Sequence, residues 1–557
     1  MTHTHRIQHK LPSPEGIINR YHETYPAKKT FRLILCLITF LSFPVFPQGV
    51  YQHPSHEAIY RFLNEMAALQ LIDPNTAVKP YTRKQIASFL SRVDEHRESL
   101  NRRQQKELDF YLRDYQKELL AGRDFRKRID LLYRKDSLFT LSVNPIGGIR
   151  YYTNRNGHAH HRWNGAEAFA YVGEHWGFYA SLRDNHESVQ MNHPNYLTRR
   201  MGAPYKSGND YSEMRGGITY SWNWGSLGLV KDHLQWGNGY NGTNILSGRT
   251  PSFAMIRLHL QPTDWFEFHY FHGWLVSEVE DSTRTWTYVN VDRTSTRVVY
   301  REKYMAANLF TFKPVKRLHV SFGNSIIYSD LGMEPAYLIP LFFFKSIDHT
   351  LNHSIDNQNS QMFFDISSRL IRHLHLYSTL FLDEISLSRM FDPESHSNFY
   401  SWKIGGRLYG YPLDNTGITL EYTRTNPLVY KHYLPVLTFE SNRYNLGHYL
   451  LDNATELYID ADCSPFRGVY IKASYLHARK GPDYTSIGGS RLGLPFMESV
   501  EWENKTFTME ASWQVIHDGY VFFSWQNSRI SGDQEKYTPA LFHGNTSTLS
   551  VGANFGF

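Results

Sequence analysis

Three groups of side chains have residue types and spacing that could do chemistry. His158, His160 and His161 form the densest histidine cluster, and imidazole nitrogens are common zinc ligands. A metal site needs converging ligands fixed by supporting hydrogen bonds. These three stand in a polar, turn-like stretch of a chain with 28 histidines, so chance clustering accounts for them. His349 and His353 have helical spacing but lack the Glu of the HExxH pattern, which argues against zinc-dependent hydrolysis. Asp383 and Glu384 are adjacent, so on a strand they point to opposite faces and cannot flank one glycosidic bond. Asp383 instead shares parity with His375, Tyr377 and Phe381, opposite a leucine row, as a partner in a buried ion pair or an acceptor for a sugar hydroxyl. Gly488-Gly489-Ser490 reads as a turn, and no Gly-x-Ser-x-Gly elbow occurs. The sequence predicts no catalytic residue, no metal site and no cofactor.

Binding chemistry has a better candidate in Leu229–Leu258, LVKDHLQWGNGYNGTNILSGRTPSFAMIRL. Gly237, Gly239 and Gly242 allow tight turns and close backbone approach. Trp236 and Tyr240 offer flat apolar faces to sugar C–H surfaces, while Asp232 and Asn238 offer partners for hydroxyls. The same features suit a conformationally demanding loop folded inward as a plug, with Lys231-Asp232 as an interior ion pair and Ser247 and Arg257 completing the motif. Both readings stay open on sequence alone.

The elements that must position this stretch follow from hydrophobic period. Residues 55–135 have helical spacing: Ile59, Leu63, Met66 and Leu69 form one stripe, Ile86, Phe89, Leu90 and Val93 a second, introduced by Thr82, and Leu108, Tyr111, Leu112, Tyr115 and Leu119 a third. Three amphipathic helices make a small bundle. Arg126, Lys127 and Arg128 after it read as a solvated face or a lipid-headgroup contact. From Ser137 onward the period is two. Examples are Leu374, Leu376, Leu380 and Leu382, then Phe507, Met509, Ala511, Trp513 and Val515. The last strand places Leu549, Val551, Ala553, Phe555 and Phe557 on one face, against Ser550, Gly552 and Asn554 on the other. A terminal alternating strand exposes unpaired backbone unless it closes on another strand. At about 23 residues per strand with its loops, this region makes an all-β barrel of about 16–18 antiparallel strands. No repeat of propeller length is present.

Composition agrees with a membrane barrel. The 557 residues include 38 Tyr, 35 Phe and 12 Trp, enough for aromatic girdles at both interfaces. Residues 1–50 carry six Lys/Arg against two Asp/Glu, and Asn101–Lys135 eleven against six. Basic charge is thus not concentrated on the main domain, which excludes a nucleic-acid binder. Lys28, Lys29 and Arg32 precede an apolar run, Leu33–Phe46, too short to span a membrane as a helix. This predicts a secretory signal cleaved near Gln48 or Gly49. Cys463 would then be the lone cysteine, with no internal disulfide. The expected organisation is 1–49 extension and signal, 50–136 helical bundle, 137–557 barrel.

Lys231-Asp232, Trp236-Gly237-x-Gly239, Gly242, Ser247, Pro251-Ser252 and Ile256-Arg257-Leu258 together resemble the Wzi family of capsule-assembly outer-membrane proteins. Glu334-Pro335 with Pro340, Asp356-Asn357 before Asp365, Asp383-Glu384, and Tyr422-x-Arg424 with Pro427 and Tyr430 extend the resemblance along the helical segment and nearly all of the barrel. The chain departs from it in its N-terminal extension and several loops. The resemblance implies an outer-membrane barrel closed on the periplasmic side by its helical bundle. Glu334, Asn357, Asp365, Asp383, Arg424 and Tyr430 would belong to a polar lumen network. The function implied is a non-enzymatic lectin that attaches or assembles capsular or extracellular polysaccharide at the surface of a Gram-negative cell. Its partners would be that polymer, outer-membrane lipid and, through the strand ending in Phe557, the barrel assembly machinery. A porin-like channel for saccharides is the alternative. A polysaccharide-modifying enzyme using Asp383 or His448 ranks last, for lack of paired catalytic groups.

Overall fold

The computed structural model describes residues 49–119, 128–204, 209–351, 357–384, 398–485 and 493–556. The expected signal, Arg126, Lys127, Gly488–Ser490 and Phe557 lie outside them. The chain from Phe139 builds a closed barrel of 18 antiparallel strands. They run β1 Phe139–Asn154, β2 Gly157–Val172, β3 Trp176–Glu187, β4 Asp210–Trp222, β5 Gly225–Asp232 and β6 Phe253–Thr263. Next come β7 Phe266–Leu275, β8 Lys303–Val315, β9 Leu318–Tyr328, β10 Gln358–Ser368, β11 Leu374–Glu384 and β12 Phe399–Tyr409. The last six are β13 Thr416–Thr425, β14 Ala454–Cys463, β15 Val469–Lys480, β16 Trp502–Ile516, β17 Gly519–Gly532 and β18 Asn545–Phe555. Each pairs with its sequence neighbours. The cylinder closes where β18 pairs with β1, from Leu549 opposite Thr153 to Phe555 opposite Gly147. The terminal strand therefore has no open edge.

Side-chain alternation assigns the two faces. Leu376, Ile404, Ile418, Leu420, Phe507, Met509, Val521, Phe523, Leu549 and Val551 all point outward and are exposed. Ser321, Asp365, His375, Lys403, Glu421 and Ser550 point inward and are buried. An apolar belt outside and a polar interior are what a bilayer requires of a barrel. Among the described residues, no helix is long and apolar enough to cross a membrane.

The helices are α1 Glu57–Ala68, α2 Arg83–Asp94 and α3 Arg102–Asp114. Thr82 caps α2 as the sequence predicts: its hydroxyl accepts from the Gln85 N–H at 3.1 Å, and the Gln85 side chain accepts from the Thr82 N–H at 2.8 Å. Ile59, Leu63, Met66, Ile86, Leu90, Val93, Leu108, Tyr111 and Tyr115 form the bundle's own core. The bundle sits at the short-turn end of the barrel. Ala68 accepts from the His373 N–H at 2.8 Å in the β10–β11 turn. Asn101 donates to Asn415 at 2.9 Å in the β12–β13 turn, and Phe110 stacks on His517 at 3.8 Å in the β16–β17 turn. Short turns face the periplasm in outer-membrane barrels.

Arg128 corrects the expectation of a solvated basic face. It is buried, with its guanidinium on Asp114 at 3.3 Å, on Asp130 at 3.2 Å and on Asp518. Arg83 bridges Asp114 at 3.2 Å and Glu118 at 2.6 Å. The acids spaced along this segment are counter-charges for its arginines, and the network ties bundle to barrel.

Candidate functional site

The site is assembled where the chain leaves β5. Lys231 and Asp232 are successive strand residues, so they part to opposite faces rather than forming the expected ion pair. Lys231 turns outward and donates to the Met214 carbonyl at 2.7 Å. Asp232 turns inward and accepts from Arg215 Nε and from the Tyr179 hydroxyl, each at 2.7 Å. Residues 233–252 then fold into the lumen. Gln235-Trp236 pairs antiparallel with Val78-Lys79 of the bundle segment, and the Gly237 N–H donates to the Ala77 carbonyl at 2.8 Å. The loop entering from the long-loop end thus meets the bundle entering from the other.

The glycines make this path possible. A Cβ on Gly239 would lie 2.1 Å from the Gly242 carbonyl oxygen, and Gly242 itself has φ +102°. Just before Gly239, Asn238 is held by Asp365, which accepts from its N–H at 2.9 Å and its amide at 2.7 Å. The Glu421 carboxylate accepts from the N–H groups of Tyr240 at 2.5 Å and Asn241 at 2.9 Å. It is neutralised by Lys403 at 3.0 Å. Anchors of this kind exchange loop entropy for charge-assisted bonds in a buried setting.

Trp236 is 2 % exposed and meets Phe271 and Phe363 edge-on at 5.3 and 5.8 Å. It is a core residue of the stopper and has no free face for a sugar. Its backbone bridges to Leu246 at 2.9 Å. The Ser247 N–H donates at 2.8 Å to Leu446, in a second inward segment, residues 426–453. There Tyr430 donates through its hydroxyl to Asn244 at 2.6 Å and through its N–H to Asp383 at 2.8 Å. Arg257 faces inward, donates to the Pro80 carbonyl at 3.3 Å and covers the Tyr51 ring at 4.1 Å, clamping the bundle segment.

Three residues expected in the lumen lie elsewhere. Glu334 caps a short turn, Pro335–Leu338, in a segment packed on the outer wall of β7–β9, where Tyr270 and Tyr328 face away from the lumen. Arg424 has outward parity on β13 and covers the Phe496 ring at 3.7 Å. Asn357 sits at the rim, where its carbonyl accepts from the Ser329 N–H at 3.3 Å and joins the ends of β9 and β10. The resemblance alone put these three in the lumen; strand alternation turns Arg424 outward, while Glu334 and Asn357 lie beyond the strand ends.

Beside the stopper lies a cavity of about 540 Å³, between Tyr240 and the inner faces of β12 and β14–β17. Tyr240, Tyr409, Tyr458 and Tyr470 line it. The Tyr240 hydroxyl is fixed by His375 at 2.7 Å and by Tyr409 at 3.0 Å, and burial pushes it above its ordinary pKa. Tyrosines presented this way offer both stacking faces and hydroxyls. Sequence reading singled out only Tyr240 among these four. The others lie in ordinary alternating strands, where nothing local marks which inward positions border empty space.

The histidine cluster of β2 fans apart: His158 bonds Thr153 at 2.8 Å and His161 bonds Asn185 at 3.0 Å. Among the described residues, groupings close enough for one cation are His53, Asp232 and His233, and His259, Glu267 and His269. In the first, Arg215 already occupies an Asp232 oxygen. In the second, both imidazole Nε2 atoms lie 2.9 Å from one Glu267 oxygen, so each is already engaged in a hydrogen bond.

No family model matches the sequence, and no curated protein matches it. Among solved structures, the fold is similar to that of Wzi from Escherichia coli, described as an outer-membrane protein involved in group 1 capsule assembly and a carbohydrate-binding β-barrel. The TM-score is 0.55 at 11 % identity, over 92 % of this chain and 99 % of that one. OccD3 of Pseudomonas aeruginosa gives 0.42 at 11 % identity over 74 % of this chain and 90 % of that one. OprD from the same organism gives 0.39 at 9 % over 74 % and 92 %.

Proposed function

A Wzi-like outer-membrane barrel is the premise, and we propose that this chain is a non-enzymatic polysaccharide-binding protein. It attaches or assembles capsular or extracellular polysaccharide at the cell surface. The observation that carries this reading is the double stopper. The bundle enters from one end, residues 233–252 from the other, and the two join through backbone pairing at Trp236 and Gly237. A lumen filled in this way leaves little for a diffusion channel to use, whereas it supplies a rigid frame for holding a polymer. The Escherichia coli barrel of similar fold is described as carbohydrate-binding, and a tyrosine-lined cavity suits sugar chemistry. Weak contacts repeated along a polymer add by avidity, so no single deep site is required. Lipid would cover the apolar belt, and the strand ending in Phe557 would be the segment recognised during barrel assembly. Deleting the gene and measuring cell-bound against released polysaccharide tests the reading: the released fraction is expected to rise severalfold. An unchanged ratio, with steady single-channel conductance of the purified protein in planar bilayers, would replace it with the channel.

A further inference from the structure

The luminal cavity is not electrically neutral. Its three acidic side chains are each matched by a cation: Glu57 by Arg61 at 3.7 Å, Asp460 by Arg407 at 3.1 Å, and Glu510 by Lys472 at 2.7 Å. Four further cations, Lys79, Arg150, Arg199 and Arg249, line the same space with no carboxylate at ion-pair distance among the described residues.

Each of the four has donors to spare. Arg150 reaches only the neutral hydroxyls of Ser524 at 3.4 Å and Ser550 at 3.1 Å. Arg249 is 4 % exposed and spends one nitrogen on the Tyr196 carbonyl at 2.5 Å, while its Nε and other terminal nitrogen have no partner. Neither the Lys79 nor the Arg199 side chain has a hydrogen-bond or ion-pair partner among the described residues, the Lys79 ammonium lying 5.8 Å over the Tyr60 ring, and Arg199, on the loop over the cavity, is exposed to solvent. Burial pulls the Lys79 ammonium down to about 8 and the Arg249 guanidinium down to about 10. Holding buried cations without counter-charge costs stability, and a fold keeps such groups most readily where an external anion meets them.

We infer that this cavity takes the acidic sugar units of the polymer, binding a short carboxylate-bearing oligosaccharide between Lys79, Arg150, Arg199 and Arg249. Guanidinium groups grip carboxylates with paired N–H donors, and Tyr240, Tyr409, Tyr458 and Tyr470 supply faces for the rings. At about 540 Å³ the space far exceeds what one small inorganic anion fills and lies in the range of pockets that enclose organic ligands. The inference rests on the polysaccharide reading above and narrows it to acidic glycans.

The test uses the full-length protein in detergent micelles, titrated by calorimetry with tetragalacturonate, with maltotetraose as neutral control and with inorganic phosphate. Tetragalacturonate is expected to bind at least about tenfold more tightly than maltotetraose and to weaken as salt rises. Arg199→Gln and Arg249→Gln should each weaken it about tenfold, while heat-dependent gel migration reports an intact barrel. Arg199 stands on an exposed loop, so its variant keeps the test open if the buried Arg249 change disturbs folding. Equal affinity for the two oligosaccharides, an Arg199→Gln protein that binds like the parent, or no binding of either sugar would overturn the inference. Phosphate binding as tightly as tetragalacturonate would reduce the cavity to a small-anion site and overturn it equally. None of these outcomes touches the retention assay in cells, which judges the broader function separately.

Discussion

The two sides of the lumen are built on opposite principles. Along β6–β11, toward the long-loop end, inward positions carry Phe253, Met255, Phe271, Met305, Leu309, Ile327, Phe363 and Phe381, all buried. Trp236, Leu246, Val429, Phe439 and Leu446 from the inward loops pack against them as one core. Along β12–β17 the inward positions carry Lys403, Arg407, Glu421, Glu456, Asp460, Lys472 and Glu510, and a cavity remains. The difference teaches that a barrel's inner face is set by what occupies the space against it. Toward β6–β11 hydrophobic burial holds the stopper; toward β12–β17 charge networks such as Lys403–Glu421 hold it.

Three perturbations would break or sharpen that contrast. The largest effect is expected from Trp236→Ala on the packed side. Removing a buried Trp ring without collapse of its surroundings costs about 3–5 kcal/mol, seen as a lower midpoint in denaturant-induced unfolding from micelles. If the packed side is what seals the lumen, the same variant should also show conductance bursts in planar bilayers, and a silent variant of reduced stability would assign the seal to the charged side. Next comes Lys403→Met on the charged side. It leaves Glu421 at 3.0 Å and Glu456 at 3.9 Å without their shared cation in a fully buried place, for about 3 kcal/mol. Adding Glu421→Gln and Glu456→Gln to that variant should recover most of the loss, whereas no second-site polar change should rescue Trp236→Ala.

The smallest effect is a pH dependence where the charged side meets the bundle. Asp130 accepts from Lys117 at 2.8 Å and from Arg128 at 3.2 Å. Burial pushes its carboxyl up, but the Lys117 hydrogen bond and the Lys117 and Arg128 charges outweigh this and hold it at about 2, below its ordinary 3.8. A depressed folded-state pKa gives stability that is complete above the unfolded value and disappears as pH falls through the folded one. The bundle's attachment should therefore weaken between about pH 4 and pH 2, read as faster proteolysis near residues 128–131 by an acid-active protease. An Asp130→Asn protein should show a flatter response across that window, and an identical response in both proteins would remove Asp130 from the attachment.

Much of this architecture was legible because it follows from period. The helical stripes at Ile59, Ile86 and Leu108, the Thr82 cap, the dyad strands and the outward apolar face of the terminal strand are local consequences of residue order, since side chains on helices and strands can point only in fixed directions. The Gly237–Gly242 cluster announced a tight, unusual path for the same reason. Glu334 and Arg424 were misplaced because resemblance in sequence order carries no information about which face a residue takes.

What only the tertiary structure decided is the interior. That residues 426–453 fold inward, that Trp236 is core and not a sugar platform, that Arg128 is a buried counter-charge, and that Lys79, Arg150, Arg199 and Arg249 converge on one cavity all depend on contacts between segments more than a hundred residues apart. Closing a sheet into a cylinder brings distant inward positions face to face. The alternating pattern records only that a position is inward, never what stands opposite it.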